Sequence, residues 1–248
     1  MKLIINADDL GFTKGINYGI LDAFEAGIVT SASLLMNMSA TSHAVSLFKN
    51  KAIGLGVQLN VSSGRPLIEN QALTDEDGFF LKKHNFSQEQ IAYILIEFEE
   101  QIKKALGLKL LITHLSSHDH IHMANLEIFR KSCELAKKYK LKIRCDRGYK
   151  YLEEMTVESI PSTKAFSSDF FDKTVHVNHL IQIINQHSNE DSLEIMVHPG
   201  FICGELIYKD SYQELRVVEH SILCSDFIKQ FLKSKKIELI HFGQLEGF

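Results

Sequence analysis

Residues 3–11 read Leu-Ile-Ile-Asn-Ala-Asp-Asp-Leu-Gly, so a short apolar run turns directly into two adjacent carboxylates, Asp8 and Asp9. The apolar run predicts a strand. Carboxylates at its end are costly in free energy if they are buried without partners. They suit a site where one binds a cation and the other accepts a proton. An Asp-capped turn, with Gly11 as its turn residue, explains the same stretch equally well on its own.

Similar short runs recur along the chain and alternate with longer helical patterns. The predicted strands are Leu3 to Ala7, Ala32 to Met38, Leu55 to Val61, Leu110 to His114, Leu141 to Cys145, Glu194 to His198, Glu238 to Phe242 and, more weakly, Ala165 to Ser167. This alternation predicts parallel strands joined by helical crossovers. Seven or eight such units in 248 residues favour a single irregular (β/α) barrel, similar to a TIM barrel, over an open sheet. We therefore predict an α/β fold with one domain spanning residues 1–248.

Three helices carry boundary signals that can be read from the sequence. Thr13 is a predicted N-cap, and Gly27 is the predicted C-cap of the same helix. Ser87 and Gln90 form a predicted capping box, and Asn125 is the predicted cap of a third helix. The apolar stripes that follow these caps are predicted to face the core.

The composition is that of a globular protein and argues against several functions. With 27 Lys and Arg against 31 Asp and Glu, the formal net charge is −4, and the lysines form only isolated pairs, which argues against nucleic-acid binding. The apolar runs are too short to span a membrane, and the first one is too short for a signal peptide. We expect a cytoplasmic protein whose four widely spaced cysteines are reduced thiols.

The chemistry of a (β/α) barrel lies at the carboxyl ends of its strands, and polar residues follow several predicted strands here. Gln58 and Asn60 share one face of the third predicted strand. His198 closes a later strand before a Pro-Gly turn; a lone histidine is more often structural, and only this position makes it a candidate. Arg144, near the end of another strand, could clamp a carboxylate or hold a catalytic aspartate in its charged form.

The segment 113–122 reads Thr-His-Leu-Ser-Ser-His-Asp-His-Ile-His and holds four of the chain's 12 histidines. Imidazole is a good ligand for zinc and other transition metals. If the strand ends within this segment, one or two of these histidines would bind metal and the others would orient the site or form hydrogen bonds. The alternative is a polar or pH-sensitive loop. The candidates at strand ends together predict a hydrolytic metal site: Asp8, Asp9, Gln58, His118, Arg144 and His198.

Several segments resemble the YdjC-like carbohydrate deacetylases, a family that includes the chitooligosaccharide deacetylases. The segments are NADDLG at 6–11, GIVTSASLLMN at 27–37, GVQLNVSSGRPL at 56–67, THLSSHDHIHM at 113–123 and MVHPGF at 196–201. They occur in the family's order and extend over most of the chain. The resemblance implies a distorted barrel and a divalent metal ion held by an Asp and two His. It also implies hydrolysis of the N-acetyl group of a hexosamine unit, as in N,N′-diacetylchitobiose.

The resemblance also implies roles for the matching residues. Asp9 and His118 match metal ligands, and one of the two adjacent aspartates matches the catalytic carboxylate, for which we favour Asp8. His198 resembles the second acid/base group, and Arg144 resembles a residue that braces the site. The ion would be zinc or magnesium, and the partner a small oligosaccharide. A homodimer is a family-level expectation without a local signal in this sequence.

Two positions depart from the family pattern. Gln58 stands where the family has a metal-binding histidine, and a glutamine offers only a harder, neutral carbonyl oxygen. Ser116 stands where an Asp is common, and losing such a partner could loosen His118. Gln58 is compatible with a different metal, with weakened activity or with an engineered substitution. A sugar- or metal-binding pseudo-enzyme is therefore the alternative to a deacetylase, and hydrolysis of another amide or ester is a third hypothesis.

Overall fold

A computed structural model of the chain describes residues 1–82, 85–148 and 161–246. In these ranges the strands are β1 (Lys2–Leu10), β2 (Ser31–Leu34), β3 (Gly54–Leu59), β4 (Ile112–Ser117), β5 (Lys142–Ile143), β6 (Ala165–Ser167), β7 (Ser192–Val197) and β8 (Glu238–Leu239). The helices are α1 (Lys14–Glu25), α2 (Thr41–Phe48), α3 (Gln88–Gly107), α4 (Leu126–Tyr139), α5 (Val177–Gln186), α6 (Gly204–Lys209), α7 (Glu214–Cys224) and α8 (Asp226–Ser234).

The strands form one parallel sheet in the order β5-β4-β3-β2-β1-β7-β6. β1 is central, because it pairs with β2 on one side and β7 on the other, and its first residues also pair with β8. Arg144, which follows β5 near one edge, reaches Glu194 on β7. Such a contact requires the sheet to be curled rather than flat. The predicted irregular (β/α) barrel is therefore confirmed as a curled half-barrel with helices around it.

Strand alternation on β1 separates the core from the site. Leu3, Ile5 and Ala7 belong to the large core under the helices, whereas Ile4 packs in a smaller cluster with residues of the C-terminal segment. Because side chains alternate along a strand, Asn6 and Asp8 share the inner face with Ile4. The inner face of β1 is thus apolar at its start and polar at its end.

Several strand boundaries differ from the prediction. β2 ends at Leu34 instead of Met38, because the chain turns there into α2 and the Ala40 N–H donates to the Gly11 carbonyl at 3.2 Å. β4 continues past the predicted end at His114 to Ser117, because β3 supplies partners for it as far as the Leu59–Ser117 pair.

The predicted helix starts are confirmed. The Thr13 hydroxyl accepts from the Ile16 N–H, and Asn125 accepts from the Ile128 N–H. Ser87 and Gln90 form the complete capping box. No helix in the described part of the chain is both long and apolar enough to cross a membrane.

The predicted C-cap at Gly27 was wrong by one residue. α1 ends at Glu25, and Ala26 caps it in a right-handed conformation. Gly27 serves a different purpose, because a Cβ atom there would lie 2.5 Å from the Ala23 carbonyl oxygen and 2.8 Å from that of Leu223. Only glycine allows α1 and the end of α7 to approach so closely.

A second glycine of α1 brings the helix against the loop after β7. A Cβ atom on Gly19 would lie 2.5 Å from the Gly200 Cα, which is backbone and cannot turn aside. Gly107, the last residue of α3, has no atom within 4 Å of the equivalent position.

We predict that Gly19→Ala destabilises the chain by about 1–3 kcal/mol, because the added methyl group overpacks a backbone contact. Gly107→Ala is the matched control and should be neutral or stabilise by about 0.5–1 kcal/mol, as alanine normally does in a helix. Urea unfolding of both variants checks this prediction. An equal gain in stability from both substitutions would show that α1 does not depend on the close contact.

Candidate active site

A pocket of about 590 Å³ opens at the carboxyl ends of β1, β3, β4 and β7. We call it the mouth pocket, and it is lined by Asp8, Asp9, Phe12, Gln58, Ser62, Ser63, Lys82, Ser117, His118, Asp119, His120, Ser168, Phe171, Met196, His198, Lys209, Asp210, Tyr212 and Arg216. Another pocket, of about 620 Å³, is lined mainly by apolar side chains from α5, α7, α8 and the loop before α6, and no described residue that lines it is a histidine or an aspartate. The mouth pocket is therefore the candidate site, since it gathers the predicted residues, with Arg144 directly behind Asp8.

Asp8 is held by a bidentate ion pair with Arg144. The guanidinium nitrogens Nη1 and Nη2 lie 2.7 Å from Asp8 Oδ2 and Oδ1, and Asn6 Nδ2 donates to Oδ1 at 2.8 Å. Both members of the pair are buried. Because a bidentate pair fixes orientation as well as distance, the Asp8 carboxylate has a defined direction at the edge of the pocket.

Arg144 is shared with a second buried carboxylate. Its Nε donates to Glu194 Oε1 at 2.8 Å, whereas Glu194 Oε2 has no hydrogen-bond partner among the described residues. Burial raises the pKa of Glu194 to about 7, although the charge of Arg144 acts in the opposite direction. One guanidinium therefore faces two buried carboxylates, and one of them, Glu194, takes up a proton near neutral pH.

Asp9 has a strained backbone conformation and forms an ion pair with Arg216. Its φ is +66°, in the left-handed region that side chains rarely adopt. Its Oδ2 accepts from Arg216 Nη2 at 2.7 Å, and the same nitrogen donates to Asp210 at 2.7 Å. Burial opposes ionisation of Asp9, but the neighbouring charge of Arg216 outweighs it and holds the pKa of Asp9 well below its usual range.

The Gln58 side chain links the two aspartates. Its Oε1 accepts from the Asp9 backbone N–H at 2.7 Å, and its Nε2 donates to Asp9 Oδ1 at 3.1 Å and to Asp8 Oδ2 at 3.3 Å. These partners fix the amide orientation, because the reverse one would oppose two donors and place an oxygen against carboxylates. The Gln58 carbonyl oxygen is thus committed to the backbone. Asn60, which shares the strand face, bonds instead to Gln101 and the loop after β3.

The four histidines of segment 113–122 divide into two pairs. His118 and His120 line the mouth pocket. His114 is buried and stacks on Phe242, and His122 is buried between the Ser117 hydroxyl and the Arg144 carbonyl. Burial lowers the pKa of His122 to about 3, so it stays neutral and supports the loop. This division arises because the chain leaves the strand at Ser117 and enters a 3-10 helix at His118–Met123.

His118 is oriented by hydrogen bonds at one of its ring nitrogens. Its Nδ1 lies 2.7 Å from the Ser62 hydroxyl and 3.2 Å from Asp119 Oδ2. Burial disfavours the charged imidazole, but the hydrogen bond to Asp119 and the nearby charge of Asp9 raise the pKa of His118. Asp119, held by the same contact, has its pKa lowered to about 2. Ser116, which replaces an Asp of the family pattern, is not a partner of His118, since its hydroxyl is buried without one in the described structure.

His198 faces the pocket with a carboxylate behind it. Its Nδ1 lies 4.0 Å from Glu219 Oε1, and its backbone N–H donates to the other oxygen of Glu219. Tyr212 also donates to Glu219, and Phe171 packs its edge against the His198 ring at 5.1 Å. Burial lowers the pKa of His198 and raises that of Glu219 to about 8.

Three site residues escaped the sequence analysis: Arg216, Glu219 and Tyr212. They lie on or just before α7, and a charged residue within a helix normally indicates a solvated face. The spacing of Arg216 and Glu219, three positions apart on one helix face, was the only local signal. Their roles depend on the packing of α7 across the pocket, which no local pattern specifies.

The pocket also contains polar atoms that lack a partner. In the part of the chain that the structure describes, His120 Nδ1, His198 Nδ1 and Arg216 Nη1 are buried without any hydrogen bond to protein. All three belong to residues that line the mouth pocket. Buried polar groups are nearly always satisfied, so a bound polar ligand or an ordered water is a candidate partner for these three atoms.

Comparison with known proteins identifies the family. The family model described as "YdjC-like protein" matches residues 2–234. The chain belongs to this family. The resemblance in the motifs is thereby confirmed over nearly the whole length of this YdjC-like chain.

Two curated relatives share the full length of this YdjC-like chain. A protein named Carbohydrate deacetylase from Clostridium beijerinckii is 39% identical over 249 residues, which cover 99% of this chain and 100% of the relative. Another with that name, from Brevibacillus brevis, is 33% identical, with coverage of 99% and 100%. A solved structure from Enterococcus faecalis V583, described as a cellobiose-phosphate cleavage protein, superimposes with a TM-score of 0.91 at 27% identity, with 99% of each chain covered.

The burial of Glu194 predicts a pH dependence of stability. Glu194 binds a proton more tightly in the folded chain, with a pKa of about 7, than at its ordinary value of 4.5. Its contribution is therefore complete below pH 4.5 and is lost as pH rises to about 7. Glu194→Gln should remove this loss, which is on the order of 2–3 kcal/mol.

Urea unfolding between pH 4.5 and 8 measures this effect. Relative to the native chain, Glu194→Gln should become progressively more stable as pH rises from 4.5 to about 7, because the native chain alone must then ionise a buried Glu194. Glu219 and the buried histidines titrate in both chains and cancel in this difference. The exposed Glu190→Gln is the matched control and should follow the native profile. A constant difference between the Glu194→Gln and native profiles would show that Glu194 does not titrate in this range.

Proposed function

We propose that the chain is a carbohydrate deacetylase that hydrolyses the N-acetyl group of a sugar such as diacetylchitobiose or a chitooligosaccharide. The observation that carries this proposal is the oriented Asp8 carboxylate in the same pocket as His198, the two groups needed to move protons during amide hydrolysis. The printed names of the full-length relatives support the same reaction class.

In the proposed reaction, Asp8 is the general base. It accepts a proton from water, and the resulting hydroxide adds to the carbonyl carbon of the acetyl group. Arg144 keeps Asp8 oriented. Arg216 lines the pocket, and its guanidinium is the group that we assign to the developing oxyanion, since a positive donor stabilises that charge best in a buried site.

His198 is the proposed general acid. It gives a proton to the amine nitrogen as the C–N bond breaks, which releases acetate and an amino sugar. Its lowered pKa makes the protonated imidazole a readier donor. Glu219 lies behind His198 and, through Tyr212 and the His198 backbone, holds the ring in place.

Zinc or magnesium is the cofactor that the resemblance implies, with Asp9 and His118 as its predicted ligands and Gln58 in the third position. The described residues do not fit a three-ligand site as they stand. The Gln58 oxygen binds the Asp9 N–H, both Asp9 oxygens accept hydrogen bonds, and Arg216 already supplies a positive charge. The steps above therefore use side chains of this chain alone.

The alternative function, a sugar- or metal-binding pseudo-enzyme, is suggested by Gln58. Gln58 ties Asp8 to Asp9 and occupies the position where the family pattern has a histidine. Such a chain would bind a sugar without cleaving it.

The cytoplasmic location and the homodimer that the sequence analysis predicts also stay predictions.

We predict that Asp8→Asn lowers kcat/KM for acetate release from diacetylchitobiose by about 100-fold or more, because general-base catalysis contributes a factor of that order. The exposed Asp191→Asn, at the opposite end of β7, is the matched control and should keep native activity. A rate that Asp8→Asn leaves unchanged would remove Asp8 from the reaction.

The metal question is decided by Gln58→His, with Gln58→Ala as the control that breaks the amide contacts without adding a ligand. In calorimetric titration with zinc, Gln58→His should bind one ion per chain more than the native chain and Gln58→Ala do. Its rate of acetate release should increase when this ion binds. Release by the native chain supports a deacetylase that tolerates Gln58. Release by the histidine variant only would favour the pseudo-enzyme, and release by neither would contradict the deacetylase proposal.

A further inference from the structure

Three metal-ligating side chains meet outside the mouth pocket, where α1 packs against α7. Asp22 comes from α1, and His220 and Cys224 come from α7. Asp22 Oδ2 lies 2.7 Å from His220 Nε2, and Cys224 Sγ lies 3.6 Å from the same nitrogen. Within residues 1–82, 85–148 and 161–246, this is the one group of three His, Cys, Asp or Glu side chains whose ligand atoms all lie within 4.8 Å of one another.

The spacing on α7 brings two of these ligands to one helix face. His220 and Cys224 are four positions apart, so their side chains lie one turn above the other. The same spacing of two histidines on one helix binds a single zinc ion in zinc metalloproteases. Asp22 completes the group from the neighbouring helix.

The donor set is selective. A thiolate, an imidazole and a carboxylate are all ligands of zinc, and three protein ligands leave a fourth position for water. Magnesium and calcium prefer oxygen ligands alone, so the sulfur of Cys224 disfavours them.

The surrounding backbone holds the three side chains together. The Ile28 N–H donates to the Leu223 carbonyl at 3.2 Å, which ties the end of α1 to the end of α7. Gly27 permits this approach, since a Cβ atom there would lie 3.1 Å from Cys224 Sγ. The edge of Phe201 packs against the His220 ring at 4.8 Å and restricts its rotation. Little rearrangement is needed for an ion to bind.

We propose that Asp22, His220 and Cys224 bind one zinc ion, or another divalent ion with the same preference for sulfur and nitrogen. We call this group the α1–α7 site. It is separate from the mouth pocket, because none of its three residues lines that pocket.

The α1–α7 site is connected to the mouth pocket through α7. His220 follows Glu219, which accepts the His198 N–H, and lies one turn after Arg216, which pairs with Asp9. An ion at the α1–α7 site ties this part of α7 to α1. It thereby restricts the movement of the two side chains that position Asp9 and His198.

Binding also releases a proton. Cys224 is a free thiol, and the thiolate is the form that coordinates a metal ion. The thiol proton therefore leaves when the ion binds, and the affinity increases with pH.

Cobalt is the probe that reports this site directly. The full chain, freed of metal by a chelator, should bind one Co²⁺ with the near-ultraviolet charge-transfer absorption of a cobalt–thiolate bond. Cys224→Ala should abolish the absorption, and His220→Gln should weaken the affinity at least tenfold. No described residue that lines the mouth pocket is a cysteine, so an ion bound there would not produce this band.

Cys203→Ala is the matched control. Cys203 is also a partly buried thiol that packs against α1, at Gly15, but it is not part of the three-ligand group. This variant should keep the native absorption. Absence of the band in the native chain, its persistence in Cys224→Ala, or its loss in Cys203→Ala would each overturn the proposal.

A second measurement uses only the native chain. Zinc should slow the alkylation of Cys224 by iodoacetamide at least tenfold in the native chain, as followed by peptide mass spectrometry. At a hundredfold excess over Kd, it should also raise Tm by about 5–10 °C. Equal alkylation rates with and without zinc would contradict the site.

Discussion

The buried guanidinium of Arg144 is the constraint on which the rest of the site depends. It joins the end of β5 to Asp8 on β1 and Glu194 on β7, so it connects strands that lie far apart in the sheet. Removing one partner of such a buried pair costs about 3–5 kcal/mol, because the remaining charge has no water to solvate it. The curl of the sheet and the orientation of Asp8 are therefore maintained by the same contact.

Much of the fold and part of the site follow from local pattern. The apolar runs that became β1, β3 and β7, the caps at Thr13 and Ser87, and the placement of polar residues after strands are all short-range properties. Parallel topology then brings strand ends together, which is why Asp8, Gln58, His118 and His198 share one pocket. Exact strand ends were less accurate, because they depend on partners from other strands.

What could not be predicted lies in the connections between distant elements. Arg216 resembles an ordinary charged residue of an amphipathic helix, yet it is the cation beside Asp9. Similarly, the motif comparison identified Gln58 as an altered metal ligand, but it did not predict that the Gln58 amide would link the two aspartates. That link depends on the left-handed backbone of Asp9, which no local pattern specifies. Both features arise only when β1, β3 and α7 are in place.

The pairing of β1 has a consequence for the order of events during folding. β1 is the central strand, yet its partners on one side and at its base, β7 and β8, lie far from it along the chain, with Lys2 opposite Ser192 and Glu238. Closing so long a loop is slow, and one edge of β1 is exposed until it closes. β1 therefore completes its pairing late, and an intermediate that has paired only β1, β2 and β3 presents that edge to other chains.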